Sequence, residues 1–481
     1  MTNILFAASE CVPFIKTGGL GDVVGSLPKY FPKDILDARV ILPLYDFIEE
    51  KYRKDMKKAG EFAVSFRGGN VQASVFELNY KDVIYYFVAA GGFFAGEVPY
   101  AGMPGDIDKF VFFDKALLAA LKVIEFRPDI IHCHDWQTGA VPAFVRELKK
   151  TDKFYKDIKT IITIHNLRFQ GSWGKDYIRE VTSLPDEYFG DEQFGYYDSG
   201  NLLKGGIVYA DSITTVSETY AKEIMMPFYG EGLDGLLAYR SDAVSGIVNG
   251  IDYGFFDPET DKFIAHNFSA ENFRREKVKN KTALQKELGM NSDRKVMMIG
   301  IISRLTDQKG MDLITYMLDE LCSDSVQIVV LGTGEEKYES MFRHYEWKYN
   351  KDVSVNIKYS EELSHKIYAA ADAFLMPSLF EPCGLSQMMA MRYGAVPIVR
   401  ETGGLKDTVQ AYNEYKHTGN GFSFANYNAH EMLGVIRYAE RIYYDRKRDW
   451  NKIVDRAMAA DFSWHNSASQ YEEMYNWLIG E

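Results

Sequence analysis

The sequence predicts an α/β fold of two doubly wound domains, on three observations. A chain of 481 residues is too long for one ordinary core. Short β-branched apolar runs alternate with amphipathic stretches from end to end, as buried parallel strands and their crossover helices do. Between the two series of runs, Gly246–Asp257 carries turn chemistry, Asn249-Gly250-Ile251-Asp252 and Asp257-Pro258. The first series of strands is Ile4–Ala8, Ala38–Leu42, Val83–Val88, Ile130–His132, Thr160–Ile164 and Ser212–Val216. The second is Val296–Ile302, Val326–Leu331, Val353–Tyr359, Ala373–Pro377 and Val396–Val399. A polar, strand-poor stretch to about Ser292 separates them, and a Trp- and Tyr-rich helix over Asp461–Gly480 ends the chain.

Composition narrows the function classes. A net charge of −13 argues against nucleic acid or an anionic membrane as partner, since both require basic surface. No run approaches the ~20 apolar residues that span a bilayer. The N-terminus lacks a basic leader and reads as a first strand. Cys11, Cys133, Cys322 and Cys383 form no CxxC pair, so a reducing cytoplasm is the expected setting. The aromatic fraction of 14 % is explained by core packing and is also what a carbohydrate binder needs.

The motifs lie in the turns that follow strands. Lys16-Thr17-Gly18-Gly19-Leu20-Gly21-Asp22 is echoed by Glu401-Thr402-Gly403-Gly404-Leu405-Lys406-Asp407. Each is a Gly-Gly turn that opens a helix, where glycine admits a ligand to the backbone and the helix N-terminus presents free N–H groups. Either copy alone is ordinary βα-turn chemistry. At matching places in two α/β units, the pair predicts an anion site. Gly19–Gly25 also has GxGxxxG spacing, but it begins some eight residues after the first strand, which makes an NAD(P) oxidoreductase only a remote alternative. Asp106-Ile107-Asp108 precedes an apolar helix and reads as a cap, and His132-Cys133-His134 alternates across a strand, so no metal is predicted. Ser303–Gly310 sets Arg304 and Lys309 at the carboxyl end of a strand, where open sheets bind ligands and cations can neutralise a departing diphosphate. Glu381 sits in Pro377–Leu385, a Pro- and Gly-shaped loop. There it can accept from sugar hydroxyls or cap the next helix, while the amides of Cys383, Gly384 and Leu385 face a ligand. Asp135 and His165 end neighbouring strands at one edge.

Taken together, these residues resemble the bacterial glycogen synthase and plant starch synthase family of GT-B fold. The match extends over nearly the whole chain. It includes Lys16–Leu20, His134-Asp135-Trp136, Thr163-Ile164-His165-Asn166, Leu203–Ile207, Asn249–Asp252, Arg304–Gly310, Glu381–Leu385 and Thr402–Leu405. The resemblance implies two Rossmann-like domains facing a deep interdomain cleft. Residues 1–247 would be an acceptor-binding domain and 248–460 a nucleotide-sugar-binding domain, with helix 461–481 packing back on the first. It implies transfer of glucose from ADP-glucose to the non-reducing end of an α-1,4-glucan (glycogen, maltooligosaccharides) with retention of configuration and no metal or other cofactor. Arg304 and Lys309 would neutralise the diphosphate, and Glu381 would bind the donor glucose. His165 and Asp135 would face glucose and acceptor, and Lys16 with Gly18 and Gly19 would close on the donor. Tyr359 would stack on adenine, Gly403 and Gly404 would meet the phosphates, and Asn166, Asn249 and Thr402 complete the substrate-binding set. Gln137 stands where many members have histidine, and Met389 where related transferases place a second glutamate. Other donors such as UDP-glucose, a small-sugar acceptor, or a noncatalytic glucan-binding role are the alternatives.

Overall fold

The computed structural model describes residues 1–323 and 325–480, so Glu481, the end of the anticipated last helix, lies outside them. Two compact units divide the chain: 1–216 with 221–247 and 464–481, and 217–220 with 248–463.

The first unit is built on a nine-stranded sheet. Its order is Val244–Gly246, Ser212–Thr215, Lys159–Ile164, Ile130–His134, Thr2–Ala7, Leu36–Pro43, Val83–Ala90, Gly69–Tyr80, Lys57–Phe66. Every pairing is parallel as far as Val83–Ala90, and the last two strands extend the sheet antiparallel. The parallel strands are apolar because both of their faces are covered. Lys57–Phe66 alternates exposed and covered positions, as a half-solvated antiparallel edge does, and so lacks the run of apolar residues that marks the others. The chain leaves Thr2–Ala7 toward one edge and later returns to build the other, so strand order reverses beside Thr2–Ala7.

The second unit repeats the logic in six strands, ordered Val353–Asn356, Val326–Leu331, Met297–Ile302, Ala373–Met376, Val396–Arg400, Phe422–Phe424, all parallel. Its order reverses between Met297–Ile302 and Ala373–Met376. In both units the crevice at the carboxyl ends beside that reversal is where such sheets take ligands.

Several expected boundaries shift. The strand expected over Val353–Tyr359 ends at Asn356 and leaves Tyr359 in a loop, because Ser360 turns the chain into the helix Glu361–Ala370 by accepting from Leu363 N at 3.2 Å. The terminal helix is Trp464–Ile479. It packs within the first unit, where Tyr475 Oη lies 2.7 Å from His132 Nδ1. Asp106 and Asp108 do not precede their helix as a cap. The helix begins at Gly105, with Asp106 accepting from Gly102 N (2.8 Å) and Lys109 Nζ (2.9 Å) and Asp108 from Arg67 Nη2 (2.8 Å). Among the described residues, no helix is long and apolar enough to cross a membrane.

Candidate active site

In the second unit three loops interlock at the strand-order reversal. The loop after Met297–Ile302 ends in the 3-10 turn Asp307–Lys309 and then Gly310 at φ +73°. A Cβ on Gly310 would stand 2.2 Å from the Pro377 carbonyl oxygen, so glycine is what lets the two strand exits touch. The neighbouring loop is stitched on by Leu379 N donating to Gln308 O at 2.9 Å and by Arg400 Nη1 donating to Leu379 O at 2.6 Å.

These anchors bring Lys309 Nζ within 2.6 Å of Glu381 Oε2, which also accepts from Ser378 Oγ at 3.0 Å. Glu381 is only 6 % exposed and does not cap the next helix, whose N-cap is Leu385 with no side-chain bond. Arg304 is exposed. Its guanidinium reaches Gln308 Oε1 at 3.4 Å, and among the described residues no carboxylate lies within ion-pair distance. Gln387 Nε2 donates to the carbonyls of Cys383 (3.2 Å) and Gly384 (2.9 Å). With these carbonyls held, the amides of Cys383, Gly384 and Leu385 donate to no acceptor among the described residues. Burial pushes the Cys383 thiol up to about 12, which removes it as a nucleophile. Asn249 is buried beside Cys383, with Oδ1 lacking a partner among the described residues.

The turn Thr402–Gly404 packs directly on this loop. Gly404 N donates to the carbonyls of Glu381 and Pro382, both at 3.2 Å. A Cβ on Gly403, which has φ +44°, would meet Glu381 O at 2.0 Å, and one on Gly404 would meet Cys383 O at 2.1 Å. The expectation of a free amide is therefore corrected at Gly404. Tyr359 is 81 % exposed.

In the first unit, Asp135 leaves the strand Ile130–His134 at φ +57° and its Oδ1 accepts from His165 N at 2.7 Å. The two polar strand ends do come together. Burial raises the Asp135 carboxyl to about 7 against the opposing bonds from the His165 and Asn166 amides, and the nearby Glu10 charge adds to the rise. His165 Nε2 lies 2.9 Å from His134 Nδ1, and burial lowers His165 to about 3, so its imidazole is neutral at physiological pH. Asn166 Oδ1 accepts from Arg168 N at 3.1 Å, and Gln137 is buried with Oε1 lacking a partner among the described residues.

The Lys16–Gly19 turn is organised by Glu10, a residue that sequence reasoning passed over. Its buried carboxylate accepts from Thr17 N (2.5 Å), Thr17 Oγ1 (2.5 Å), Gly18 N (3.1 Å) and Tyr100 Oη. Thr17 and Gly18 thus offer no free amide, which corrects the expectation there. Lys16 Nζ pairs with Asp22 at 2.8 Å, and nothing lies within 4 Å of a Cβ on Gly18 or Gly19. The signal for Glu10 was available: an acidic residue three positions after an apolar strand and close before a glycine turn.

The first unit thus holds a neutral imidazole and a buried carboxyl at one strand edge, and the second a cation-bearing loop crossing beside a buried glutamate. Residues 3–239 match the family model described as Starch synthase catalytic domain, and residues 280–453 match Glycosyl transferases group 1. Fold and family match define a glycosyltransferase of GT-B fold. More particularly, the chain belongs to the glycogen and starch synthase family. It is 60 % identical to the glycogen synthase of Lachnospira eligens over 99 % of this chain and 100 % of that one. It is 57 % identical to the glycogen synthase of Lachnoclostridium phytofermentans at the same coverage. The catalytic domain of starch synthase IV from Arabidopsis thaliana, solved bound to ADP and acarbose, superposes with a TM-score of 0.90 at 32 % identity, covering 100 % of this chain and 99 % of that one. Sucrose-phosphate synthase from Thermosynechococcus elongatus shares the fold, at TM-score 0.63 and 16 % identity over 100 % of both chains.

Proposed function

We propose that the chain transfers glucose from ADP-glucose to the non-reducing end of an α-1,4-glucan and keeps the α configuration. Glycogen synthases among its relatives, and the ADP and acarbose held by the plant structure, support a nucleotide-sugar donor and a glucan acceptor. The observation that carries the reading is the Lys309–Glu381 pair beside an uncompensated Arg304 and three undirected amides at the strand-order reversal of the second unit.

In this reading the bond from glucose C1 to the diphosphate oxygen breaks with its electron pair on the phosphate. The acceptor 4-hydroxyl oxygen bonds to C1 on the same face, and its proton passes to the departing phosphate oxygen. Arg304 and Lys309 take up the negative charge that develops, so the reaction needs no metal ion. Glu381, anchored by Lys309 and Ser378, faces the sugar as positive charge builds at C1. The amides of Cys383, Gly384 and Leu385 bind phosphate or sugar hydroxyls, while Thr402, Gly403 and Gly404 hold the Glu381 loop beside the phosphates. Tyr359 offers its open ring to adenine, and Asn249 its free carboxamide oxygen to the donor. His165, as a neutral imidazole, donates to a glucose hydroxyl, with Asp135 and Asn166 next to it. Lys16, Gly18 and Gly19 contact donor phosphate at a turn that Glu10 has already shaped.

Incorporation of radiolabelled glucose into glycogen, with ADP-glucose and UDP-glucose compared in the presence of a chelator, tests this. Strong transfer from ADP-glucose alone is expected. Transfer from neither donor, or only after metal is restored, overturns it. Arg304→Ala should lower kcat by about 10²–10³, the scale for losing one charge stabiliser, and unchanged turnover removes Arg304 from the mechanism.

A further inference from the structure

We infer that the second unit carries another ligand site, for a small ring-bearing organic phosphate, at the amino-terminal edge of its sheet. A cavity of about 500 Å³ opens there between the helices Phe273–Glu287 and Lys447–Ala459. That is the size of a small-molecule site, which spans roughly 300–1,000 Å³. It borders Asp372, which precedes the strand Ala373–Met376, whereas Glu381 follows the same strand. The two sites therefore lie at opposite ends of one strand.

The lining is basic on a chain whose net charge is −13. Arg294, Lys295 and Lys447 have no carboxylate within ion-pair distance among the described residues. Other cations nearby are already committed. Arg274 pairs with Asp455 at 2.6 Å, and Lys277 donates to the carbonyls of Tyr368, Ala369 and Tyr393 at 3.1, 2.9 and 2.8 Å. Asp372, the one carboxylate in the lining, is engaged by Lys281 and accepts from Met298 N at 2.9 Å. Three cations are left lining the cavity against one carboxylate that Lys281 already engages, an excess of positive charge that suits a phosphate dianion better than a single carboxylate.

The cavity also offers a surface for a ring. Tyr444, 42 % exposed, lines it beside buried Tyr443, whose ring centroid stands 3.6 Å from Lys447 Nζ. Partial desolvation lowers the Lys447 ammonium against the opposing pull of Asp372. Cations beside an exposed aromatic ring can recognise a phosphate carrying a sugar or base.

Equilibrium binding to the full chain, with ADP at saturation to fill the donor site, tests the assignment with AMP, glucose 6-phosphate and inorganic phosphate as probes. One of the two ring-bearing phosphates should bind more tightly than inorganic phosphate, and which one tells whether the ring is a base or a sugar. The combined variant Arg294→Ala, Lys295→Ala, Lys447→Ala should bind it at least about tenfold more weakly with its glucosyl transfer unchanged. Should that variant not fold, Arg294→Glu, an exposed change, must weaken binding in the same direction. No binding beside ADP, equal binding of inorganic phosphate, or binding that these substitutions leave intact overturns the assignment.

Discussion

The two Gly-Gly turns read alike in sequence and are used differently. In the second unit Gly403 and Gly404 are required by the protein itself, since their Cα atoms lie against the carbonyls of Glu381 and Cys383. In the first unit nothing lies within 4 Å of a Cβ on Gly18 or Gly19, and the turn is shaped by a side chain, the Glu10 carboxylate. The same tripeptide is thus a packing joint in one place and an open surface in the other. A glycine pair marks a close approach, but only the fold tells whether the approaching group is protein.

The largest effect should come from the packed turn. Gly404→Ala would put a methyl 2.1 Å from Cys383 O, and Gly403→Ala adds a left-handed backbone to a 2.0 Å clash with Glu381 O. Each should cost more than about 3 kcal/mol by thermal or urea unfolding. Each should also abolish transfer, because the clash displaces the loop that holds Glu381. An alanine variant here with normal stability and normal turnover breaks the comparison from this side.

Next is the carboxylate that shapes the open turn. Glu10→Ala leaves Thr17 N, Gly18 N and Tyr100 Oη without their acceptor, at an expected cost of about 1–3 kcal/mol. Glu10→Gln keeps one acceptor oxygen and should recover part of it. If Glu10→Ala is as stable as the parent chain, the turn is held by something else.

The first unit should also be the acid-sensitive one. Burial holds His132 and His165 down to about 3 from 6.5, and His134 well below 6.5. The unfolded chain then binds more protons between about pH 3 and 6.5, so this stability is present above about 6.5 and lost as pH falls. Asp135, raised from 3.8 to about 7, works in the opposite sense and offsets part of it. The thermal midpoint should fall between pH 7 and 5, and His165→Gln should flatten the slope. An equal slope in that variant removes His165 as a source.

How much of this was legible follows from what each residue touches. Buried parallel strands declare themselves by apolar content, so Val326–Leu331 was readable to the residue. The antiparallel Lys57–Phe66 and Gly69–Tyr80, half solvated, were not. Asp135 with His165, and Lys309 with Glu381, were legible as turn residues after strands, because parallel strands deliver their exits to one edge. Glu10 left a signal that was passed over, whereas Arg400 left none, since it donates to the carbonyl of Leu379, which only the fold brings near. The ladder His132–Thr163–Thr214 was hidden for a related reason: its polar groups satisfy one another across neighbouring strands at 2.6 Å, inside segments that otherwise read as apolar.

The smallest stability change should come from Gly18 and Gly19, and it is the most informative. Neither has positive φ, and Gly19 is the first residue of the helix Gly19–Ser26. Gly19→Ala should shift stability by no more than about 1 kcal/mol, and in the stabilising direction, because alanine narrows the unfolded ensemble where the native backbone already suits it. Gly18→Ala, at the N-cap, should cost a few tenths of a kcal/mol to about 1. The fold therefore makes no demand for glycine at either position, and a ligand is the remaining source of one. A rise in KM for ADP-glucose at unchanged melting temperature would mean that donor atoms come within reach of that missing Cβ. Unchanged KM and kcat would mean that the open turn takes no part, leaving the donor to the second unit alone.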